Sequence, residues 1–206
     1  MKTAIIDTSK HDPRRVIALL FGVSLLWLLL NGVSLLRYTT VVSDESLDGL
    51  VAYRLTDAGQ SPSVSQYDPL GVYPFRLYLV GLAQWFELVG VGLVQARAFS
   101  LLAGLVAGWL LFFLGRKLYD ERIGGLASTL FWFTPRVFWT SHFVRPEMWV
   151  AVATIGGLLA GWWLIQRPSR LRALLVGFLS VAILDVYLSV ISTTLTVGLL
   201  TLLWLA

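Results

Sequence analysis

The sequence predicts an all-α fold: a polytopic membrane helical bundle of about six transmembrane helices, with juxtamembrane helices lying on the outer face in the first loop. Three observations carry this. Of 206 residues, 57% are hydrophobic and only 14% are charged. Mean hydropathy is +0.75. The apolar residues fall into runs long enough to cross a bilayer. A soluble domain of this length could not bury so much apolar surface, so its solvent is largely lipid. The net charge of +4 is modest and gives no reason to expect a nucleic-acid partner. Cysteine is absent, which excludes disulfides, thiolate chemistry and cysteine-ligated metal. His11 and His142 are the two histidines and are far apart in sequence, so a histidine-rich zinc site is not expected.

The first apolar run, Val16 to Leu36, would reach roughly 31 Å as a helix, a full hydrocarbon core. It follows Lys10, Arg14 and Arg15 and is longer than a cleavable signal's apolar region. It therefore reads as a retained anchor with the N-terminus in the cytoplasm. Next comes a polar stretch, Tyr38 to Gln66. Ser43 is a candidate N-cap, with Asp44 and Glu45 well placed in a first helical turn. Leu47, Leu50, Val51 and Leu55 recur at helical spacing and predict an amphipathic helix ending near Gly59, its leucines forming the apolar face. Gly59 to Gln66 reads as a loop.

Further apolar segments cover about 73–90, 95–115, 123–141, 147–165, 171–187 and 189–206. Whether 73–90 crosses the membrane decides the topology. If it lies along the outer face, ten Lys and Arg fall inside and six outside; if it crosses, seven fall inside and nine outside. The positive-inside rule favours the first arrangement. Pro74, Arg76, Gln84 and Glu87 also make 73–90 a poor lipid-facing span. This topology puts Asp44-Glu45, the Asp68 to Pro74 region, Arg145-Glu147 and Asp185 on one side. The other arrangement would separate the two acidic groups. Arg116 to Arg122 and Gln166 to Arg172 read as basic cytoplasmic turns. The chain ends at Leu205-Ala206 within an apolar run, so residues 1–206 read as a single module truncated at its C-terminus.

The candidate chemistry lies at the outer ends of the spans. Carboxylates beside a bilayer are costly unless paired or used. Asp44 and Glu45 are either helix-capping acids or a general base that takes a proton from an attacking hydroxyl or amine. As neighbours on a helix their side chains point about 100° apart, so they cannot serve one atom together. In Arg145-Pro146-Glu147, proline and glutamate suit a helix start. The alternative uses Arg145 as an anion clamp, its fork of donors matching phosphate, with Glu147 as a second carboxylate. Asp185 interrupts an apolar stretch and is either a turn acid or a rim residue of the site. Asp68 precedes Pro69, and Tyr73 precedes Pro74; Tyr73 suits interfacial anchoring or stacking on a sugar.

Several segments in order resemble the GT-C superfamily of polyprenyl-phosphate-sugar-dependent glycosyltransferases, most of all the branch of protein O-mannosyltransferases and the lipid A aminoarabinose transferase. Ser43-Asp44-Glu45 after the first span is similar to the family's acidic motif. Tyr73-Pro74-Phe75-Arg76-Leu77-Tyr78 is similar to its Pro-led aromatic stretch. Gln95-Ala96-Arg97-Ala98-Phe99-Ser100 resembles its Ala-Arg opening of the next span, and Gly115-Arg116-Lys117-Leu118-Tyr119 its basic turn. Phe143-Val144-Arg145-Pro146-Glu147 resembles the second-loop motif, in which the family usually carries Asp where this chain has Glu147. The resemblance covers most of residues 15–165. It implies a multi-pass plasma-membrane glycosyltransferase that moves a hexosyl or pentosyl group, with inversion, from a polyprenyl-phosphate donor to a lipid, protein or glycan acceptor at the outer face. Asp44, with Glu45, would be catalytic. Arg145, Glu147, Asp68, Tyr73 and Asp185 would bind substrate. Some relatives use a divalent metal held by acids of both loops; the nearer branch does without one, and no metal ligand is carried over. The competing expectation is a non-catalytic polytopic membrane protein or transporter subunit, in which the acids are caps or line a pathway.

Overall fold

The computed structural model describes residues 13–37, 43–56 and 76–186. They form eight helices in chain order: α1 Pro13–Arg37, α2 Ser43–Thr56, α3 Arg76–Val89, α4 Leu93–Leu118, α5 Glu121–Phe133, α6 Pro135–Thr140, α7 Glu147–Gln166 and α8 Arg170–Val186. No strand occurs among the described residues.

Local chemistry sets the boundaries. Proline opens α1 at the position where a missing N–H costs nothing. Asp120 caps α5, its carboxylate accepting from the Ile123 N–H at 2.8 Å. The apolar segment expected as one unit over 123–141 is instead two helices. Thr134 takes an extended conformation because Pro135 follows it, and Pro135 then starts α6.

Three helices are long and apolar enough to span a bilayer: most of α1, all of α4 and all of α7. The expected count was about six. With 14, 13 and 17 residues, α3, α5 and α8 are shorter, and 189–206 lies outside the described residues. At about 1.5 Å per residue, α3 reaches only ~21 Å, short of a hydrocarbon core.

Close approaches give the relative directions of the helices. A Cβ on Gly125 would meet Val16, one on Gly104 would meet Trp27, and one on Gly115 would meet Gly124. Thus α1 and α5 run together and α4 runs against them. Phe99 lies against Trp149, ring centroids 4.6 Å apart, and a Cβ on Gly156 would touch Leu110, so α7 runs with α4. The end of α1 and the starts of α4 and α7 therefore share one end of the bundle. We call it the acidic end, and the opposite end the basic end.

The α4–α5 seam packs backbone against backbone. A Cβ on Gly115 would sit 2.7 Å from the Gly124 Cα, and one on Gly124 would sit 2.6 Å from the Phe112 carbonyl. Ser128 spans the seam, donating to the Gly108 carbonyl at 2.7 Å. Small residues with one bridging hydroxyl are how helices approach where no hydrophobic effect drives them together. Trp27 and Trp132 stack beside the seam. The Trp27 indole N–H donates to the Trp132 carbonyl and the Trp132 indole to the Gly104 carbonyl, at 2.8 and 3.1 Å. Both indole donors are thereby satisfied in a dry interior.

Candidate functional site

The acidic end is organised by α2, which turns its carboxylates inward. Glu45 and Asp48 are 1% and 5% exposed, and Val51 and Ala52 are buried beside them. Leu47, Leu50 and Tyr53 face outward. Of the apolar stripe read from the sequence, Val51 is deeply buried, while Leu47 and Leu50 are exposed. The inward side of α2 instead offers polar partners for its carboxylate.

Glu45 meets those partners. Its Oε1 accepts from Arg97 Nε and its Oε2 from Arg97 Nη2, both at 2.9 Å, in a fork-to-fork pair fully enclosed by protein. The same Oε1 also accepts from the backbone N–H of Val144 at 3.0 Å. One carboxylate thus joins α2, α4 and the segment before α7. That segment, Ser141 to Pro146, is a buried loop, which is uncommon because its backbone needs partners. It finds them locally: His142 N–H bonds the Trp139 carbonyl, Phe143 N–H that of Thr140, and Arg145 N–H that of Phe143. Glu45 supplies the partner for Val144. The Ser100 hydroxyl reaches the Arg145 carbonyl at 3.4 Å.

Glu45 was grouped with Asp44 as a catalytic carboxylate. Its geometry is that of a structural tie: both oxygens are engaged and the group is dry. From the sequence, Arg97 reads only as part of a helix-opening motif on the outer side. It is in fact 1% exposed. The available signal was a lone arginine in the opening turns of a 26-residue apolar helix, which has to find a carboxylate.

Arg145 and Glu147 lie at the same end as Glu45. Arg145 Nε pairs with Glu147 Oε1 at 3.0 Å, and 37% of the Arg145 side chain remains exposed. Glu147 Oε2 is buried without a hydrogen-bond partner, as are the Tyr78 hydroxyl and His142 Nε2. The other His142 nitrogen, Nδ1, is 2.7 Å from the Phe138 carbonyl and must donate to it, which leaves Nε2 an acceptor in the neutral ring. Burial first, and then the Asp48 carboxylate, hold the Tyr78 phenol well above its usual range, with Glu147 and Glu45 adding to the rise. The Ser100 hydroxyl opposes this without closing a hydrogen bond. Tyr78 is therefore a neutral hydroxyl within electrostatic reach of three carboxylates.

Tyr78 also lines an apolar groove of about 460 Å³ between α3, α4, α7 and α8. Leu77, Trp85, Phe99, Trp149 and Phe178 supply much of its wall. Phe99 is wedged between Trp85 and Trp149, ring centroids 6.0 and 4.6 Å away. Gly81 lets α3 approach, since a Cβ there would already lie 3.3 Å from the Phe99 ring. Tyr78 thus belongs both to the groove wall and to the surroundings of the acidic cluster.

The remaining candidates divide simply. Asp44 is adjacent to Glu45 on α2, and Asp185 is in the last turn of α8; the side chains of both lie outside the described set. Asp68 and Tyr73 lie outside the described residues altogether. Among the described residues no group of three His, Asp or Glu is arranged to hold a metal ion. No protein family, curated protein or solved structure matches the chain.

Proposed function

We propose that the protein is a membrane glycosyltransferase that moves a sugar from a polyprenyl-phosphate donor to an acceptor at the outer face of the plasma membrane, within a bundle of about six spans. The observation that carries the reading is an apolar groove and a charged cluster that share one residue, Tyr78. A donor with a long hydrocarbon chain and an anionic head needs both, side by side. In this reading the prenyl chain lies against Trp85, Phe99 and Trp149, the groove's aromatic wall. Arg145, partly exposed beside the buried loop, neutralises the phosphate. Asp44 removes the proton of the acceptor hydroxyl as its oxygen attacks the anomeric carbon, and the bond from that carbon to the phosphate oxygen breaks. The polyprenyl phosphate leaves as an anion and needs charge neutralisation rather than protonation. Glu45 and Arg97 hold α2 against α4 so that Asp44 keeps its place. Asp68, Tyr73, Glu147 and Asp185 complete the substrate-binding set.

The test is transfer from a panel of polyprenyl-phosphate sugars by the membrane-inserted protein. Asp44→Asn should abolish product while leaving insertion and thermal stability unchanged. Undiminished turnover in that variant removes Asp44 from the mechanism. Ala153→Leu, which narrows the groove from the α7 side, should raise KM for the lipid donor with little change in kcat.

A further inference from the structure

At the basic end, a second concavity of about 540 Å³ opens where α4 and α7 finish and α8 begins. Lys117, Arg167 and Arg172 line it, with Trp163, Leu171 and Leu175 as its apolar part. Among the described residues none of these three cations is paired with a carboxylate; at this end Glu121 is taken by Arg116, at 3.1 Å. Arg172 is held in place by backbone, its Nη1 donating to the carbonyls of Arg167 and Trp163 at 2.6 and 3.2 Å. Those carbonyls close α7, so one guanidinium both caps a helix and stands in the pocket wall. Of the helices lining the pocket, α4 and α7 bring negative ends and α8 a positive one, partial charges of about half a unit each and smaller than the three full ones. The three full charges therefore set the local potential. Beside them Leu171 is 77% and Trp163 48% exposed, an apolar surface continuous with the cations.

We propose that this pocket binds the phosphodiester headgroup of an anionic phospholipid, with Lys117, Arg167 and Arg172 around the phosphate and the acyl chains against Trp163, Leu171 and Leu175. Cations without a carboxylate partner among the described residues, drawn from two separate turns and next to outward-facing apolar side chains, match a molecule with a charged head and a hydrocarbon body. A free anion would use the cations alone. The proposal does not depend on the transferase reading, because it concerns the opposite end of the bundle.

The experiment is native mass spectrometry of the full chain in detergent with phosphatidylglycerol and phosphatidylcholine at equal mole fraction. The expected result is one phosphatidylglycerol retained in preference to phosphatidylcholine. A Lys or Arg at an anionic lipid surface contributes about fivefold in binding, so Lys117→Gln with Arg167→Gln should weaken retention roughly 25-fold. Lys117→Arg with Arg167→Lys should keep both retention and thermal stability, which guards against a misfolded variant. The charge-matched pair Arg122→Gln with Arg170→Gln, at the same end outside the pocket, should retain the lipid. Equal loss in that pair, no preference over phosphatidylcholine, or no effect of the pocket pair would overturn the proposal. So would inorganic phosphate that binds as tightly as the lipid, because the apolar wall would then contribute nothing.

Discussion

A carboxylate and a guanidinium enclosed together cannot be removed one at a time without leaving a bare charge in a dry interior. Glu45→Gln should therefore cost about 3–5 kcal/mol of stability, and Arg97→Met a similar amount. The double variant Glu45→Leu with Arg97→Met should recover much of the loss. A double-mutant cycle by thermal or denaturant unfolding in detergent checks this, and additive losses would mean the pair is not coupled. Tyr78 makes a separate prediction. Its phenol titrates higher in the folded protein than the ordinary value near 10, so the folded state holds its proton longer. That contribution is complete below about pH 10 and is lost as the pH rises toward the folded-state value. Tyr78→Phe should flatten the alkaline limb of the stability curve and leave the neutral region unchanged in slope. That Glu45 needs a partner was legible in the sequence, because charge beside a bilayer needs a reason. The partner of Glu45 was not legible: Arg97 is 52 residues away and Val144 is 99. Contact at that separation depends on which helices run together, and periodicity does not carry that information.

Among the elements, the α4–α5 seam should tolerate least. A Cβ on Gly108 would lie 2.2 Å from the Trp132 indole, and that ring is held by its own hydrogen bond. Gly108→Ala should cost about 1–3 kcal/mol through overpacking. Gly177→Ala, with nothing within 4 Å, should be neutral or slightly stabilising. Unfolding midpoints in the same detergent compare the two directly. For α2, a spin label at position 47 or 50 should respond more to dissolved oxygen than to a water-soluble nickel chelate, since both leucines face away from the bundle. Helix existence and most boundaries followed from apolar run length and from proline. The inward face of α2 did not, since the leucine spacing fits a packed stripe as well as a lipid-facing one. The break at Pro135 was available in the sequence but was outweighed by the apolar character of 123–141.

For the whole molecule, the charge count had to choose between two topologies, and the relative helix directions bear on that choice. Glu45, Arg97 and Val144 meet at one end, while Tyr119 and Arg167 belong to the other. The natural absence of cysteine makes a direct test clean. With single replacements, Ser46→Cys and Arg145→Cys should react with an impermeant thiol reagent from the same side of the membrane, and Tyr119→Cys only from the other. Labelling of 46 and 145 from opposite sides would break the shared acidic end. The reach of Glu45 has one more consequence, in the order of assembly. During synthesis α2 emerges well before Arg97 and Val144 exist, so its carboxylate lacks both of its later partners and stays hydrated. Only when α4 and the loop before α7 are in place can that charge be drawn in. Docking of α2 is therefore a late, gated step, and the arrangement it creates forms only in a chain whose later helices have already been laid down.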